Sequence, residues 1–210
     1  MEILTWISLL SAIIAGLLVF RYVRHSKLLK LSKRTPEQRR ALIVLGSGGH
    51  TSEMFKLMDA IASKCPIRSY ILADEMSRKR VLNYESHGNQ TADIVDVTRA
   101  RMVGQSYVSS VETTLKAIFE SISLVWSRSP DVVICNGPGT CIPICIVAFI
   151  LDFFYLINCR IVYVESVCRV QTLSLSGKLL YYSRICDDLL VQWPELKQRY
   201  DRTVFLGRFM

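Results

Sequence analysis

The residue types and spacing that suit chemistry on a phosphorylated ligand occur in two glycine-containing segments. An isolated carboxylate is a further candidate. The first segment reads Gly46-Ser47-Gly48-Gly49-His50-Thr51 and follows the short apolar run Ala41–Leu45. Glycines after a strand let the backbone turn sharply, and the free N–H groups at the start of a following helix favour a phosphate. His50 then stands where an imidazole can act as a general base towards a bound hydroxyl.

This first segment has two other interpretations. A dinucleotide-binding fingerprint, GxGxxG/A, needs Gly or Ala where Thr51 stands, and this difference weakens the interpretation as a nicotinamide cofactor site. A helix cap built from Thr51 or Ser52 with Glu53 is the structural alternative, and it is compatible with ligand binding.

Further candidate residues follow other predicted strands. Asn136-Gly137-Pro138-Gly139-Thr140 forms a second glycine-containing turn that leads towards a helix. Glu165 follows the apolar run Arg160–Val164, and its carboxylate either accepts hydrogen bonds from a sugar or caps the next helix. Arg99 and Arg101 follow a third strand and either bind a diphosphate or lie in a solvated loop.

The elements that position these residues alternate between strand and helix patterns. Helices are predicted after His50, over 74–84, and over a stretch where Val108, Val111, Leu115, Ile118, Ile122 and Val125 give the spacing of one buried helix face. Strands are predicted over 41–45, 67–73, 93–97, 131–135, 160–164, 189–192 and 203–206. This alternation predicts an α/β fold with a Rossmann-like, doubly wound parallel sheet, in which ligands bind beyond the carboxyl ends of the strands.

The distribution of charge argues against nucleic acid as a partner. The chain has 210 residues and a net charge of +8, but residues 21–40 hold eight basic side chains against one acid. The remainder is close to neutral and has no excess charge with which to follow a phosphate backbone. The seven cysteines include no CxxC pair, and Cys135, Cys141, Cys145 and Cys159 stand among apolar residues. We therefore expect core thiols and no metal site.

The first twenty residues predict a transmembrane signal anchor. Ile3 to Phe20 is an uncharged run of 18 residues, which spans roughly 27 Å as a helix. The basic residues follow it on one side only, which places the N-terminus in the lumen and the C-terminal domain in the cytosol. A cleaved signal peptide would carry its charges before the apolar run. The predicted organisation is thus an anchor over 1–20, a basic juxtamembrane segment over 21–40 and a Rossmann-like domain over 41–210.

A second apolar stretch, 141–158, is interrupted by Pro143 and Asp152. Because it lies between two predicted strands and has no flanking basic cluster, a buried or membrane-grazing helix is favoured over a second span.

The chain resembles a known eukaryotic family in four motifs. They are Val44–Thr51, Asn136–Cys141, Tyr163–Ser166 and Val191–Pro194, and the likeness runs from about residue 40 to the C-terminus. The family is the membrane-anchoring subunit of the UDP-N-acetylglucosamine transferase of the dolichol pathway. The glycine segment is also similar to that of the bacterial transferase that completes the peptidoglycan lipid precursor, which has the two-domain GT-B fold.

The resemblance implies a division of labour between two chains. This chain would correspond to the acceptor-binding N-terminal half of a GT-B enzyme, with a separate soluble subunit holding UDP-GlcNAc. Together they would add the second GlcNAc, in β1,4 linkage, to GlcNAc-diphosphate-dolichol at the cytosolic face of the endoplasmic reticulum. This chain would be inactive without its partner, and the scheme needs neither cofactor nor metal.

The resemblance also assigns roles to residues. His50 and Glu165 are the expected catalytic residues. The expected acceptor and diphosphate contacts are Gly46, Ser47, Gly48, Gly49, Thr51, Asn136, Gly137, Gly139, Arg99 and Arg101. Independently of the resemblance, the apolar character of Val204–Met210 makes it a candidate contact for the partner subunit.

Two other functions stay open at this stage. A pure scaffold would only hold the catalytic subunit at the membrane. A membrane-anchored NAD(P)-dependent reductase would use Asp74, after the second strand, as its ribose-binding acid.

Overall fold

The computed structural model describes residues 34–46, 48–72, 74–87, 93–97, 109–137 and 139–208, together with positions 8, 11, 12, 15, 16 and 19. A compact unit begins at Arg34, seven residues before the predicted start of the domain. Its described part contains one parallel sheet in the order β3-β2-β1-β4-β5-β6-β7. The strands are β1 (Arg40–Val44), β2 (Ile67–Leu72), β3 (Asp93–Asp96), β4 (Val132–Asn136), β5 (Arg160–Val164), β6 (Asp188–Val191) and β7 (Val204–Phe205).

Helices cover both faces of this sheet. They are α1 (Gly49–Ile61), α2 (Glu75–His87), α3 (Ser109–Arg128), α4 (Cys141–Phe153), α5 (Leu175–Ser183) and α6 (Pro194–Arg199), with short 3-10 turns at Pro36–Gln38 and Ala62–Lys64. One core contains Met54 and Met58 of α1 with Val81 of α2. The other core contains side chains from α3, α4, α5 and α6. The predicted doubly wound α/β fold is confirmed.

The central strands are apolar because both of their faces are covered. In β1, the four residues Ala41–Val44 are all buried, and alternate side chains belong to the two opposite cores. A strand covered on both sides has no solvent-facing residues, so its sequence lacks the polar alternation of a half-exposed strand. This explains why a continuous apolar run predicted it correctly.

The strand order reverses between β1 and β4. The chain leaves β1 towards β2 and β3 on one side, and it returns to β4 on the other side before continuing to β7. Doubly wound proteins form their ligand-binding crevice at such a switch point, at the carboxyl edge of the sheet. Both predicted glycine segments begin at this edge.

Helix α3 is present, and its buried face agrees in part with the predicted one. Val125 is buried and Ile118 packs against the core, as predicted. Leu115 and Ile122 are exposed, whereas Ala117 and Ser121 are buried. The Ser121 hydroxyl donates a hydrogen bond to the Ala117 carbonyl oxygen at 2.6 Å, and α3 packs against α4.

Helix α4 replaces the alternative of a second membrane span over 141–158. It has 13 residues, which give a length of about 20 Å. Its side chains Cys141, Ile144, Cys145, Val147 and Ala148 are buried in the core. At and just after its C-terminal end, the exposed side chains are Ile150, Phe154, Tyr155 and Leu156, so contact of this end with a membrane stays a prediction. Cys135, Cys141, Cys145 and Cys159 are buried free thiols as predicted.

The predicted anchor over 1–20 and most of the basic segment lie outside the described residues. The six described positions between 8 and 19 have helical backbone, and their side chains are exposed. None of the helices among the described residues combines the length and the hydropathy that crossing a bilayer requires.

Candidate functional site

The glycine segment forms the turn that joins β1 to α1. Gly48 is the N-cap of α1 and has φ of 66° and ψ of −123°, a conformation that favours glycine because it has no Cβ. Thr51 is fully buried, and its hydroxyl donates to the Gly46 carbonyl oxygen at 2.6 Å and contacts the Ser77 hydroxyl at 3.0 Å. Thr51 therefore fixes the backbone of the glycine loop at Gly46.

His50 lies in the first turn of α1 and packs against the second glycine segment. Gly137 has φ of 95°, and a Cβ added there would lie 2.8 Å from two carbons of the His50 ring. The imidazole thus rests directly on the backbone after β4. The structure thus brings the two glycine segments into contact.

Glu53 links His50 to the loops after β4 and β5. Its side chain is 3% exposed, and its Oε2 lies 3.8 Å from Nδ1 of His50. The same Oε2 accepts a hydrogen bond from Nδ2 of Asn136 at 2.8 Å, and Oε1 accepts one from the Ser166 hydroxyl at 2.9 Å. One carboxylate therefore connects the ends of three parallel strands.

The cap that the sequence suggested for Glu53 is not formed. The N-cap of α1 is Gly48, and no side chain caps that helix end. The side chain of Glu53 instead contacts residues 83 and 113 positions further along the chain. Sequence analysis treated Glu53 only as a capping residue, because no local pattern indicates contacts over such separations.

The electrostatics of His50 and Glu53 favour opposite charges. The Glu53 carboxylate raises the pKa of His50, burial opposes this effect, and Asn136 and Glu165 add to the increase. For Glu53, burial raises the pKa, but His50, Asn136 and Ser166 together hold the pKa below its ordinary value. At 3.8 Å the two atoms are too far apart for a hydrogen bond and form an ion pair only when the imidazole is protonated, so Nδ1 of His50, a buried atom, has no hydrogen-bond partner.

Asn136 is completely buried and directs one half of its amide at Glu53. Because the carboxylate of Glu53 needs a donor, the Asn136 nitrogen faces it. The Asn136 oxygen, Oδ1, is buried and has no hydrogen-bond partner. A buried acceptor without a partner is uncommon in folded proteins, and here it lies beside His50 at the crevice.

Glu165 is buried at the end of β5 and binds the start of α5. Its Oε2 accepts hydrogen bonds from the Ser174 backbone N–H at 2.8 Å and the Ser174 hydroxyl at 3.0 Å, and its Oε1 accepts one from the Ser166 N–H at 3.1 Å. Burial raises the pKa of Glu165, although these hydrogen bonds oppose the increase. The geometry matches the capping alternative of the sequence analysis, and a catalytic role for Glu165 stays a prediction.

Arg80 is a cation at the glycine loop that the sequence analysis did not single out. It is exposed on α2, and its guanidinium donates to the Gly48 carbonyl oxygen at 3.0 Å and to the Ser52 hydroxyl at 3.3 Å. Arg99, Arg101 and Ser47, which were expected to contact a diphosphate, lie outside the described residues. Gly49 and Gly139 have open space around the position of a Cβ.

The motif Val191–Pro194 supports the loop after β5. Nε2 of Gln192 donates to the Glu165 carbonyl oxygen at 3.2 Å, and the Trp193 indole donates to the Val167 carbonyl oxygen at 2.6 Å. The guanidinium of Arg208 lies 4.1 Å from the centre of the Trp193 ring. The segment after β7 is thereby held beside the same edge of the sheet.

The structure gives no support to the reductase alternative. Asp74, its proposed ribose-binding acid, accepts hydrogen bonds from the backbone N–H and the hydroxyl of Ser77 at 2.9 and 2.8 Å. Asp74 thus caps α2. Within the part of the chain that the structure describes, no group of three His, Cys, Asp or Glu residues is arranged to hold a metal ion.

Solved structures with a similar fold include a MurG protein and a UDP-GlcNAc 2-epimerase. MurG from Acinetobacter baumannii superposes with a TM-score of 0.58 at 16% identity, covering 81% of this chain and 45% of that structure. A UDP-GlcNAc 2-epimerase from Neisseria meningitidis gives a TM-score of 0.55 at 15% identity, covering 80% of this chain and 46% of that structure. The chain thus spans just under half of each, and at these identities the likeness concerns the fold alone.

Sequence relatives match over almost their whole length. UDP-N-acetylglucosamine transferase subunit ALG14 of Rattus norvegicus is 43% identical over 212 residues, covering 96% of this chain and 97% of the relative. The human and Schizosaccharomyces pombe proteins of the same name are each 40% identical, over 96% and 97% of this chain.

A family model described as "Oligosaccharide biosynthesis protein Alg14 like" matches residues 41–209. That match includes both glycine segments, Glu53, Glu165 and the Val191–Pro194 motif. The chain therefore belongs to the Alg14-like family of oligosaccharide biosynthesis proteins.

Proposed function

We propose that this chain is the membrane-anchoring, acceptor-binding subunit of a UDP-GlcNAc transferase that adds the second GlcNAc, in β1,4 linkage, to GlcNAc-diphosphate-dolichol. The observation that carries the proposal is the position of His50, which rests on Gly137 at the switch point of the sheet with Glu53 behind it. The names of the relatives, which describe a transferase subunit, support the reaction class and the need for a partner.

The diphosphate of the acceptor would bind at the turn between β1 and α1. The N-terminus of α1 offers backbone N–H groups and the positive end of its dipole. Gly48 and Gly49 are exposed at this turn and have no Cβ, so phosphate oxygens can approach the backbone. Arg80 is already in contact with the turn and supplies a guanidinium for charge-assisted hydrogen bonds.

His50 would then serve as the general base for the acceptor hydroxyl. Its Nδ1 is buried against Glu53, whereas a third of the side chain is exposed. The ring nitrogen left for a ligand is therefore Nε2. An imidazole loses and gains a proton near neutral pH, which suits the removal of a proton from a sugar hydroxyl as it attacks.

The partner would be a soluble chain that binds UDP-GlcNAc and completes the crevice from the other side. The structurally similar proteins are about twice as long as the matched region, and the separate chain would supply what their second halves hold. Val204, Phe205 and Leu206 are exposed at the edge of the sheet and are the candidate contact for the partner.

The anchor would keep this site at the cytosolic face of the endoplasmic reticulum, where a polyprenyl-linked acceptor is confined. The uncharged run 3–20 and the basic residues after it support this placement. Confining enzyme and acceptor to one surface raises the effective concentration of the acceptor.

The deciding experiment compares the wild-type complex with a His50→Ala complex. Each chain is co-expressed with the soluble UDP-GlcNAc-binding subunit and assayed on a GlcNAc-diphosphate-polyprenol. We expect His50→Ala to lower kcat by about 10²- to 10⁴-fold, the usual contribution of a general base, while the subunits still copurify. His87→Ala, at the C-terminal end of the neighbouring helix α2, is the matched control and should retain activity. If an assembled His50→Ala complex kept full activity, His50 would not be the base, and the chain would serve only to hold its partner at the membrane.

A further inference from the structure

We propose that Glu53 is a positioning residue for His50, holding the imidazole with its proton on Nδ1 so that Nε2 is free to accept the proton of the acceptor hydroxyl. This inference rests on the proposed function, since it deepens the role of the same site. It identifies a residue outside the glycine segments as a determinant of the chemistry.

The position of Glu53 is fixed by contacts on both carboxylate oxygens. Asn136 and Ser166 donate hydrogen bonds at 2.8 and 2.9 Å, and the Val167 N–H approaches at 3.4 Å. A buried carboxylate stays ionised only when such donors replace water. Because these donors come from the rigid ends of β4 and β5, the negative charge has a defined place beside Nδ1 of His50.

Glu53 and His50 are three residues apart on one helix face, where side chains separated by one turn meet. The same carboxylate could in principle serve only to tie the loops together. Tying the loops together requires acceptor oxygens, but it does not require a negative charge to face an imidazole at 3.8 Å. The property of Glu53 that bears on His50 is therefore its charge.

Among the described residues, the charged groups near His50 are two carboxylates and one guanidinium. Glu53 of α1 lies closest, and Glu165 after β5 adds a weaker attraction. Arg80 donates hydrogen bonds at the N-terminus of the same helix, and Arg169, in the loop after β5, acts on Glu165. A proton on the imidazole is favoured by the two carboxylates, and Glu53 is the one that the described part of the chain places at ion-pair distance from the ring.

The proton balance of the transfer is simple. The acceptor hydroxyl oxygen attacks the anomeric carbon of UDP-GlcNAc, the bond from that carbon to the UDP oxygen breaks, and the hydroxyl proton moves to Nε2 of His50. The imidazolium formed carries a second proton on Nδ1, facing the Glu53 carboxylate. Release of the Nε2 proton to water after UDP departs restores the base.

The first test measures the imidazole directly by NMR on the full chain with labelled histidine. The chain has three histidines, so His50→Ala assigns the resonance. Glu53→Gln removes the charge and preserves the shape of the side chain, and we expect the pKa of His50 to fall by about 1 unit. Ser166→Ala is the matched control, because it removes one neutral donor to Glu53 and leaves the charge; the pKa of His50 should change much less.

The second test is the pH profile of kcat/KM for the assembled complex. Removing the charge should shift the acidic limb to lower pH by about 1 unit and lower the plateau about tenfold or more, since the ring loses its oriented tautomer. Glu53→Asp retains a carboxylate and should restore part of the pKa and of the plateau. Thermal unfolding of each variant identifies any that fail to fold.

The two tests separate this inference from the proposed function. An unchanged pKa of His50 in folded Glu53→Gln protein overturns the positioning role, even if His50→Ala abolishes activity. A lowered pKa together with full activity of the His50→Ala complex supports the coupling of the two side chains but overturns the role of His50 as the base.

Discussion

At the scale of single residues, backbone conformation at position 137 matters as much as the side chains that carry the chemistry. Gly137 combines a positive φ with direct contact to the His50 ring. Either property alone disfavours a larger residue. Together they make this glycine part of the surface that sets the orientation of the imidazole.

We therefore predict that Gly137→Ala will impair the transferase complex much more than Gly139→Ala. The new methyl group would lie within 3 Å of the ring, so His50 must move, and an alanine with positive φ is strained by about 1 kcal/mol. Activity should fall at least about tenfold. Gly139 has open space around its Cβ position and provides the control. Equal activity of the two variants in the same assay would refute this prediction.

At the scale of elements, buried charges join the helices to the sheet at the edge away from the site. Arg68 of β2 donates two hydrogen bonds to Glu85 of α2, at 2.7 and 2.6 Å, and also contacts the carbonyl oxygens of Ala62 and Cys65. The Tyr70 hydroxyl donates to Glu85 as well. Arg68 and Glu85 are 7% and 3% exposed, so the ion pair is shielded from water.

We predict that Glu85→Gln will destabilise the protein by about 3 kcal/mol, because Arg68 remains charged and buried without its partner. The pKa of Glu85 is raised by burial but lowered more strongly by Arg68 and Tyr70, so it lies below its ordinary value in the folded protein. The stabilisation is then complete above the unfolded pKa, about 4.3, and is lost as the pH falls through the lower folded pKa.

Urea unfolding as a function of pH measures this effect. Wild-type protein should lose stability below about pH 4, and the Glu85→Gln variant should lose less over the same range. Glu120→Gln, at an exposed position of α3, is the control and should change stability by less than about 0.5 kcal/mol. An equal acid dependence of wild type and Glu85→Gln would show that other carboxylates dominate.

The start of α5 shows how an element can be fixed by a residue of the neighbouring strand. Ser174 caps α5 by accepting a hydrogen bond from the Gly177 N–H at 3.0 Å, and Glu165 binds Ser174. A Cβ at position 177 would lie 2.3 Å from Oε2 of Glu165. Gly177 is thus required for the carboxylate to reach the helix end, and the loop that carries Ser166 is held in place with it.

At the scale of the whole molecule, the anchor and the folded unit are predicted to separate cleanly. Because the compact unit begins at Arg34, removal of residues 1–33 should leave it folded and release it from membranes. Carbonate extraction followed by fractionation measures the release. A matched variant that keeps residues 1–20 but exchanges the basic residues of 21–33 for glutamate should stay in the membrane with altered orientation, which protease protection reports. Membrane retention of the truncated chain would contradict the prediction.

The sequence predicted the fold better than it predicted the site. Apolar runs located β1, β2, β4 and β5 within one or two residues, because strands covered on both faces have a strong signal. The glycines and histidine after β1 indicated that the candidate site lies at the carboxyl edge of the sheet. Glu53 and Arg80 were missed as site residues, since their contacts lie across loops and helices that only the folded sheet brings together. The buried face of α3 was predicted correctly at Val125 but not at Leu115 and Ile122, which are exposed.

The contacts of the Glu53 carboxylate with residues at or just after the ends of β4 and β5 restrict which amino acids relatives of this chain can have at these positions. Asn136 and Ser166 each donate to Glu53, so a substitution at either position alters the environment of one common charge. Among Alg14-like sequences, residues aligned with positions 53, 136 and 166 should covary, and a change in one should be accompanied by compensation in the others. Ancestral reconstruction would then find these three positions exchanged jointly along the same branches of the phylogeny.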